Sequence, residues 1–338
     1  MNIQYKLEDF LNVRGSTRAL NDEDFENAVD QLAQQLVGIN YKFKYSDSEL
    51  TKDWKSLKAY NNKDKDFNST CRHGMRICEH FMDNFWEINN ARGKSFANQW
   101  TIENLKKVLR WNRKSHSTPY LSEIRRGIYF CTGLTKNTMF RPGLAKMVVD
   151  KYAPNGIVLD PCAGWGGRML GSVASGAKYI AFEPNTRTYK NLLKIVNYLQ
   201  IESEVQIYND VAENIDKYNI HSVDLILTSP PYYNLEVYSD ETTQSVKNGQ
   251  SYDDWVAQFL KPVITKCIQT GKPTVCSAWN VDVCGKHNIP NDVNSIHYEL
   301  KFVGKEIYSV SSSKRQTNQN TGEKNQKRKD YTVCYVSA

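Results

Sequence analysis

The stretch "VLDPCAGWGGRMLG", Val158 to Gly171, joins the end of an apolar strand pattern to a glycine-rich turn and the start of a helix. Glycines in such a turn let the backbone approach a ligand closely, in the crevice above the carboxyl ends of parallel strands. Glu183 closes the next apolar run, 23 residues after Asp160. An acid in that place is suited to accept hydrogen bonds from a ribose diol. The stretch therefore predicts an α/β sheet that binds a nucleoside at this turn.

The alternation of strand and helix patterns continues along the chain and favours a parallel, doubly wound sheet. Strands are predicted at 156–160, 179–183, 205–210, 223–229 and 273–279. The two last strand patterns, 301–310 and 331–338, have no helical pattern between them, which predicts an antiparallel hairpin. The predicted fold class is α/β, with a mixed seven-stranded sheet that ends in this hairpin.

The nature of the nucleoside follows from two further residues. The dinucleotide fingerprint expects a third glycine where this chain has Met169. The carboxylate of Asp160 suits a cationic or amino-bearing ligand better than a pyrophosphate. S-adenosylmethionine fits these features, because it carries a ribose, an adenine and an ammonium group and no phosphate. Asp210, after the third strand pattern, is a candidate acceptor for the adenine amine. Alternatively, the glycines form only a tight strand-to-helix turn.

The segment "TSPPYY", Thr228 to Tyr233, ends the fourth strand pattern with two prolines. The Ser229 hydroxyl oxygen and the Pro230 carbonyl are acceptors for the two hydrogens of a base amine, and the prolines hold them rigidly. Tyr232 offers an aromatic face for the base, and Pro231 narrows the slot. A base in duplex DNA must be flipped out of the helix to enter such a slot.

The "TSPPY" corner with the upstream "DPCAG.G" resembles the amino-methyltransferase family of DNA enzymes, which form N4-methylcytosine or N6-methyladenine. The resemblance covers residues 138–338 and implies a Rossmann-like methyltransferase fold, S-adenosyl-L-methionine as cofactor and a motif order similar to the gamma arrangement. It implies cofactor contacts for Phe140, Arg141, Pro142, Asp160, Pro161, Ala163, Gly164, Gly166 and Glu183, and catalytic roles for Ser229, Pro230, Pro231 and Tyr232. "GWGGR" departs from the family's usual loop, so Trp165 and Arg168 are expected to shape the pocket, and Arg168 raises the question of a group other than methyl.

Charge is distributed unevenly over a chain whose net charge is +7. Segment 92–126 has nine Lys and Arg against two Glu, and segment 311–330 has six against two acids. Both segments predict contacts with DNA, since clustered positive charge attracts a polyanion. The predicted contact residues are Lys106, Lys107, Arg110, Arg113, Lys114, Lys327, Arg328 and Lys329. Trp111 and Tyr120 lie among them and suit base stacking; the alternative is a surface helix whose apolar side covers the core.

The predicted organisation is a mostly helical accessory and DNA-binding region at 1–118 and a catalytic domain at 119–338. Polar residues 234–250 are expected to form a mobile loop that closes over the substrate. No apolar run has membrane-spanning length, and the eight cysteines form no CxxC pair, which favours a cytoplasmic protein with reduced thiols. Cys71, His73, Cys78 and His80 have no usual zinc spacing, and residues 74–86 have the pattern of an amphipathic helix, so no metal site is predicted.

The leading interpretation is a DNA amino-methyltransferase, with cytosine N4 slightly favoured over adenine N6 because a serine precedes the proline pair. A cognate restriction endonuclease is a candidate partner. One alternative is an RNA base amino-methyltransferase, because such enzymes use similar corners. Another is a catalytically inactive DNA-binding protein on the same fold, against which the intact acids, glycines and Ser-Pro-Pro-Tyr segment count.

Overall fold

The computed structural model describes residues 4–61, 71–90, 92–234, 236–245, 251–281, 284–309 and 331–337. The chain divides into two compact units. The helical unit comprises Met1–Phe43 and Asp83–Thr138, and the sheet unit comprises Lys44–Met82 and Met139–Ala338. In the described part of the chain, no helix has both the length and the apolar character needed to cross a membrane.

The helices α1 to α13 are Ser16–Ala19, Asp22–Val37, Asp47–Ala59, Met75–Phe81, Phe96–Gln99, Ile102–Lys114, Leu121–Thr132, Pro142–Tyr152, Gly167–Ala174, Thr186–Leu199, Tyr252–Trp255, Lys261–Gln269 and Ile289–Glu299. A π-helical turn, Val256–Leu260, joins α11 to α12, and 3₁₀ turns occur at Leu7–Asp9, Asp83–Glu87 and Ala212–Lys217.

In the helical unit, α2 buries the side of the helix that carries Phe25, Val29, Leu32 and Leu36. This apolar stripe follows the spacing that places residues on one helical face. The side chain of Asn21 caps the helix by accepting a hydrogen bond of 2.8 Å from the backbone N–H of Asp24. The unit's core continues into a cluster of aromatic rings at Trp86, Phe96 and Trp100.

The sheet unit is built on seven strands: β1 Ile157–Asp160, β2 Lys178–Phe182, β3 Val205–Tyr208, β4 Val223–Thr228, β5 Gly271–Val281, β6 Phe302–Ser309 and β7 Tyr331–Ser337. Two-residue strands occur at Asn89–Asn90 in the helical unit and at Glu236–Val237 in the sheet unit. The seven-stranded sheet has the order β3-β2-β1-β4-β5-β7-β6. Strands β1 to β5 pair in parallel, and β7 pairs antiparallel with both β5 and β6. The predicted mixed sheet with its C-terminal hairpin is confirmed.

The compact units do not follow the predicted boundary at residue 118. Residues 44–82 belong to the sheet unit, and side chains from their described parts pack against its helices. Phe81 lies 5.2 Å from the ring of Tyr198 on α10, and the Tyr60 hydroxyl donates to the Met147 sulfur on α8. Residues 119–138 belong to the helical unit instead, since α7 packs closely on α6.

Two glycines of α9, Gly167 and Gly171, lie against α8 and the residues just before it. A Cβ atom on Gly171 would lie 2.5 Å from both the Ala145 Cβ and the Pro142 carbonyl oxygen. A Cβ atom on Gly167 would collide with the Phe140 carbonyl oxygen. Neither contact is compatible with a side chain, so these glycines allow the backbone around Phe140 to lie directly against α9.

Candidate functional site

The candidate site lies at the carboxyl edge of the sheet, where three strands end side by side. Strand β1, which ends at Asp160, pairs with both β2 and β4. Glu183 directly follows β2, and Ser229 directly follows β4. The Ala163 N–H donates to the Phe182 carbonyl at 2.9 Å and so ties the glycine turn to β2. The topology therefore gathers the predicted acid, turn and proline corner at one edge.

Asp160 is fully buried and is the centre of an internal network. Its Oδ2 accepts from Arg168 Nε at 2.6 Å and from the Tyr179 hydroxyl at 2.6 Å. Its Oδ1 accepts from the Thr228 hydroxyl at 2.8 Å and from the Cys162 N–H at 3.1 Å. These four donors fill the roughly four acceptor positions of the Asp160 carboxylate. The predicted direct contact between Asp160 and the cofactor is therefore corrected: this acid holds β1, β2, β4 and the turn together.

Arg168 is also an internal residue, with 4% of its surface exposed. Burial opposes its charge, but Asp160 beside it outweighs that effect and raises the pKa of the guanidinium. The same group donates to the Cys162 and Ala163 carbonyls of the turn. The expectation that Arg168 shapes the ligand pocket is corrected, and with it the reason to consider a group other than methyl. Trp165 is half-buried, and its ring lies 6.2 Å from that of Tyr238.

Glu183 is buried beside the turn, with 7% exposure. Its Oε2 accepts from the Gly164 N–H at 2.9 Å, and its Oε1 accepts from the Asn185 N–H at 2.9 Å. Burial raises the pKa of Glu183 to about 7, although the two backbone hydrogen bonds act in the opposite direction. Each oxygen carries one backbone donor, so each has capacity for a further hydrogen bond.

The glycine turn needs left-handed backbone at Gly164 (φ +59°) and Gly166 (φ +80°), the latter being the residue before α9. Pro161 and Ala163 are buried behind the turn. Pro142 is the first residue of α8, as predicted. Phe140 and Arg141 are half-buried, and the Arg168 guanidinium lies 5.4 Å from the centroid of the Phe140 ring. Their cofactor contacts stay predictions.

Asp210 lies two residues beyond the end of β3, in a partly exposed turn. Its carboxylate accepts from the Val211 N–H, the Asn214 side chain and the Tyr218 hydroxyl, at 2.8, 2.8 and 2.9 Å. Burial would raise the pKa of Asp210, but these three hydrogen bonds outweigh it and lower the pKa. One acceptor position of the carboxylate is left for an adenine amine.

The Ser-Pro-Pro-Tyr corner leaves β4 with Ser229 half-buried and Pro230 buried. The Ser229 hydroxyl lies 3.5 Å from that of Tyr232, and it accepts from the Asn280 side-chain amide at 3.4 Å. Asn280 is adjacent because Thr228 pairs with Trp279 across β4 and β5. Asn280 was not predicted as a site residue, because the predicted fifth strand ends at Trp279. It could have been found from the sequence as the polar residue that directly follows an apolar strand pattern.

The described part of the loop after the corner, residues 236–245, turns back towards β2. The Tyr238 carbonyl accepts from the Asn185 side chain at 3.4 Å. The Glu241 carboxylate accepts from the Thr186 N–H at 3.3 Å, at the start of α10, where a negative charge complements the helix dipole. The loop thus lies beside the neighbours of Glu183. Its predicted mobility and closure over the substrate stay predictions.

The predicted nucleic-acid residues of α6 divide into two groups. Lys106, Arg110 and Arg113 form ion pairs of 3.0, 2.7 and 2.7 Å with Asp30, Glu26 and Asp22, all within the helical unit. Each of these cations thus has a nearby acid of α2, and the predicted phosphate contacts stay predictions. Lys107 and Lys114 are exposed, and so is Tyr120 at 49%. The other predicted contacts, Lys327, Arg328 and Lys329, lie outside the described residues.

The four metal-capable residues near α4 have separate environments. Cys71 packs against Gly143, and His73 meets the ring of Tyr60 at 5.8 Å. Cys78 is fully buried, and His80 Nδ1 accepts from the Tyr45 N–H at 3.1 Å. Among the residues that the structure describes, no three His, Cys, Asp or Glu side chains are placed to hold a metal ion.

No protein-family model matches the chain, and no curated protein matches it by sequence. Solved structures resemble it at low identity. TrmN from Thermus thermophilus is 13% identical, with 58% of this chain and 49% of that chain covered and a TM-score of 0.42. A SAM-dependent O-methyltransferase from Thermotoga maritima is 13% identical (61% and 69% covered, TM-score 0.40). SMU.1697c from Streptococcus mutans, solved in complex with SAH, is 15% identical (60% and 100% covered, TM-score 0.39).

The order of the strands and the glycine turn after β1 define the class of fold. The sheet unit has a Rossmann-like α/β fold with a mixed seven-stranded sheet, as predicted.

Proposed function

We propose that the chain is a SAM-dependent methyltransferase that acts on the exocyclic amine of a base in DNA. One observation carries the proposal. Glu183 and Ser229 follow the two strands that flank β1, so a ribose acceptor and an amine acceptor lie at the same sheet edge, with the glycine turn between them.

The residues of the turn fit S-adenosylmethionine better than a phosphate-bearing nucleotide. Glu183 has hydrogen-bonding capacity on both oxygens, which suits the two hydroxyls of a ribose. The arginine of the turn, Arg168, is paired with Asp160 and is not available to a phosphate. Phe140 and Arg141 border the turn at the place where the family resemblance puts the methionine end of the cofactor. When bound, S-adenosylmethionine supplies a sulfonium methyl that an amine attacks in line.

The corner supplies the acceptors for that amine. The Ser229 oxygen and the Pro230 carbonyl accept its two hydrogens and so favour a localised lone pair on nitrogen. Asn280 donates to the Ser229 oxygen, which limits the rotation of the hydroxyl before the substrate arrives. An acceptor that is held in place needs little reorganisation in the transition state. Tyr232 supplies a face on which a flipped base stacks.

Cytosine N4 is the preferred target over adenine N6, on the serine that precedes the proline pair. DNA is the preferred polymer on the family resemblance, and RNA is the alternative substrate. With this function, the expected partner is a cognate restriction endonuclease. A third candidate, a protein that binds DNA without catalysis, requires no chemistry from Glu183 or Ser229.

The test is an assay with the purified chain, tritiated S-adenosylmethionine and either unmodified phage DNA or cellular RNA, followed by mass spectrometry of the nucleosides. N4-methylcytosine or N6-methyladenine in DNA supports the proposal, and Ser229→Ala is the control for contaminating activity. Label found in RNA alone supports the alternative substrate. Cofactor binding without transfer to either polymer overturns the enzymatic proposal in favour of a binding protein.

A further inference from the structure

The helical unit carries an exposed pair of stacked rings on α6 and α7. The centroids of Trp111 and Phe130 lie 5.5 Å apart, and the rings are inclined by 20°. Phe130 is 56% exposed, whereas Trp111 is half-buried. One face of a large apolar ring therefore remains in water, supported from beneath by a second ring. Covering such a face is favourable for any ligand with a flat surface.

The ring pair is held firmly by the packing of its two helices. A Cβ atom on Gly127 would lie 2.5 Å from Val108 Cγ1 and 3.1 Å from Trp111 Cε3, so this glycine lets α7 lie directly on α6. The Arg126 guanidinium lies 5.4 Å from the Trp111 ring and 5.8 Å from the Phe130 ring. The Glu123 carboxylate forms an ion pair of 2.6 Å with that guanidinium. Arg126 thus lies near both rings, and Glu123 balances its charge.

Two lysines flank the rings along α6. Lys107 and Lys114 lie four residues before and three residues after Trp111, on the same side of the helix. They are roughly 10 Å apart along the helix axis. Both are exposed, and neither forms an ion pair in the described part of the chain. Lys106, Arg110 and Arg113 on the opposite side are paired with acids of α2. Unpaired cations therefore concentrate around the rings.

We propose that Trp111 and Phe130, together with Lys107 and Lys114, bind a single-stranded segment of nucleic acid. A base stacks on Phe130, and neighbouring phosphates contact the two lysines. Alternating flat bases and negative phosphates match a surface of alternating rings and cations. An acidic peptide would match the lysines but would leave the rings uncovered. The inference rests on the proposed function for the choice of nucleic acid as partner, and it names the surface in the helical unit that holds it.

The experiment measures binding alone, with no S-adenosylmethionine present, by the anisotropy of fluorescein-labelled 12-nucleotide single strands. Phe130→Ala is expected to weaken binding by about 5- to 100-fold. Phe130→Leu keeps an apolar side chain, and it is expected to bind nearly as weakly because it lacks a stacking face. Tyr298→Ala, which removes another aromatic residue with 77% exposure, is the matched control and is expected to bind like the wild type.

The charge contribution has its own test. Lys107→Gln combined with Lys114→Gln is expected to make the dependence of log affinity on log salt less steep, by about one to one and a half units of slope. The control removes two exposed lysines from α3, Lys52→Gln with Lys55→Gln, and should leave the slope unchanged. Equal slopes in both double variants, or normal binding by Phe130→Ala, would overturn the proposal. So would a poly-glutamate peptide that competes as well as the oligonucleotide.

These outcomes are independent of methyl transfer. Normal oligonucleotide binding by a chain that methylates nothing would refute the proposed enzyme and leave this surface intact. If the chain methylates a nucleic acid but its Phe130→Ala variant binds the oligonucleotide normally, the proposed binding surface is refuted and the proposed enzyme is supported.

Discussion

Arg168 and Asp160 form a buried ion pair inside the glycine turn, with Nε and Oδ2 2.6 Å apart and side chains that are 5% and 0% exposed. They are eight positions apart, so the pair connects the last residue of β1 to the second residue of α9 across the turn. The carboxylate also receives the hydroxyls of Tyr179 and Thr228 from the neighbouring strands. One charge pair thus connects the turn, β2 and β4.

Arg168→Met is expected to destabilise the protein by about 3–5 kcal/mol, because it leaves the Asp160 carboxylate buried without its counter-charge. The free energy of unfolding in urea measures the effect. Lys261→Met is the matched control, since Lys261 and Glu299 form an ion pair of similar length, 2.7 Å, but are 52% and 57% exposed. Removal of an exposed pair should cost less than about 1 kcal/mol. Similar losses in the two variants would contradict a structural role for the buried pair.

Cofactor affinity is expected to depend on pH through Glu183, whose pKa is raised to about 7. Below that pH the carboxyl is protonated and loses acceptor capacity for the ribose hydroxyls; above it the acceptor is complete. Affinity for S-adenosylmethionine should therefore fall about tenfold from pH 8 to pH 6. Isothermal titration at pH 6, 7 and 8 measures this change.

Glu183→Gln provides the control for that titration. The amide is similar in size but does not ionise, so its affinity should be weak and independent of pH. Glu183→Ala should be weaker still, because it removes the acceptor altogether. A wild-type pH profile in Glu183→Gln would assign the titration to another group, and undiminished affinity in Glu183→Ala would remove Glu183 from the cofactor site.

The fold could be predicted from the sequence because apolar periodicity reports which side of an element is buried. The five parallel strands, the final hairpin and the buried stripe of α2 all follow from local patterns. Periodicity does not report the partner against which a face packs. Residues 44–82 have the pattern of amphipathic helices, and nothing local distinguishes packing on α10 from packing on α2. The compact units therefore differ from the predicted division at residue 118.

The positions of the candidate site residues could be predicted in the same way. Glu183 and Ser229 lie at the sheet edge because each directly follows a strand, and their roles stay predictions. The role of Asp160 was not predictable, since one of its donors, Thr228, is 68 residues away. The ion pair of Arg110 was not predictable for the same reason, since its partner Glu26 is 84 residues away.

His297 is expected to make the sheet unit sensitive to acid. It is fully buried between Ser277, at 3.0 Å from Nε2, and the Val293 carbonyl, at 2.8 Å from Nδ1, and burial lowers its pKa from 6.5 to about 4. The unfolded chain takes up a proton below pH 6.5, whereas the folded chain does so only near pH 4. The contribution of His297 to stability is thus complete above pH 6.5 and is lost as the pH falls to 4, amounting to about 3 kcal/mol.

Urea unfolding of the wild type and of His297→Gln at pH 7 and pH 5 isolates this effect. Glutamine retains hydrogen-bonding groups but does not titrate, so the variant should lose about 2 kcal/mol less than the wild type between the two pH values. Identical losses would show that other groups determine the acid sensitivity.

The last prediction separates the two side chains at the proline corner. Ser229→Ala removes an acceptor for the base amine and is expected to lower kcat by about 100-fold or more. Asn280→Ala leaves that acceptor in place but frees it to rotate, so its loss of kcat should be smaller, on the order of 10-fold. Neither variant should change the affinity for S-adenosylmethionine, because the proposed ribose acceptor, Glu183, lies on the β2 side of the turn. If Asn280 acts through Ser229, adding Asn280→Ala to Ser229→Ala should cause no further loss, because the group it positions is already absent. Independent, multiplying losses would mean that Asn280 contacts the substrate itself, and normal turnover in Ser229→Ala would remove the corner from the chemistry.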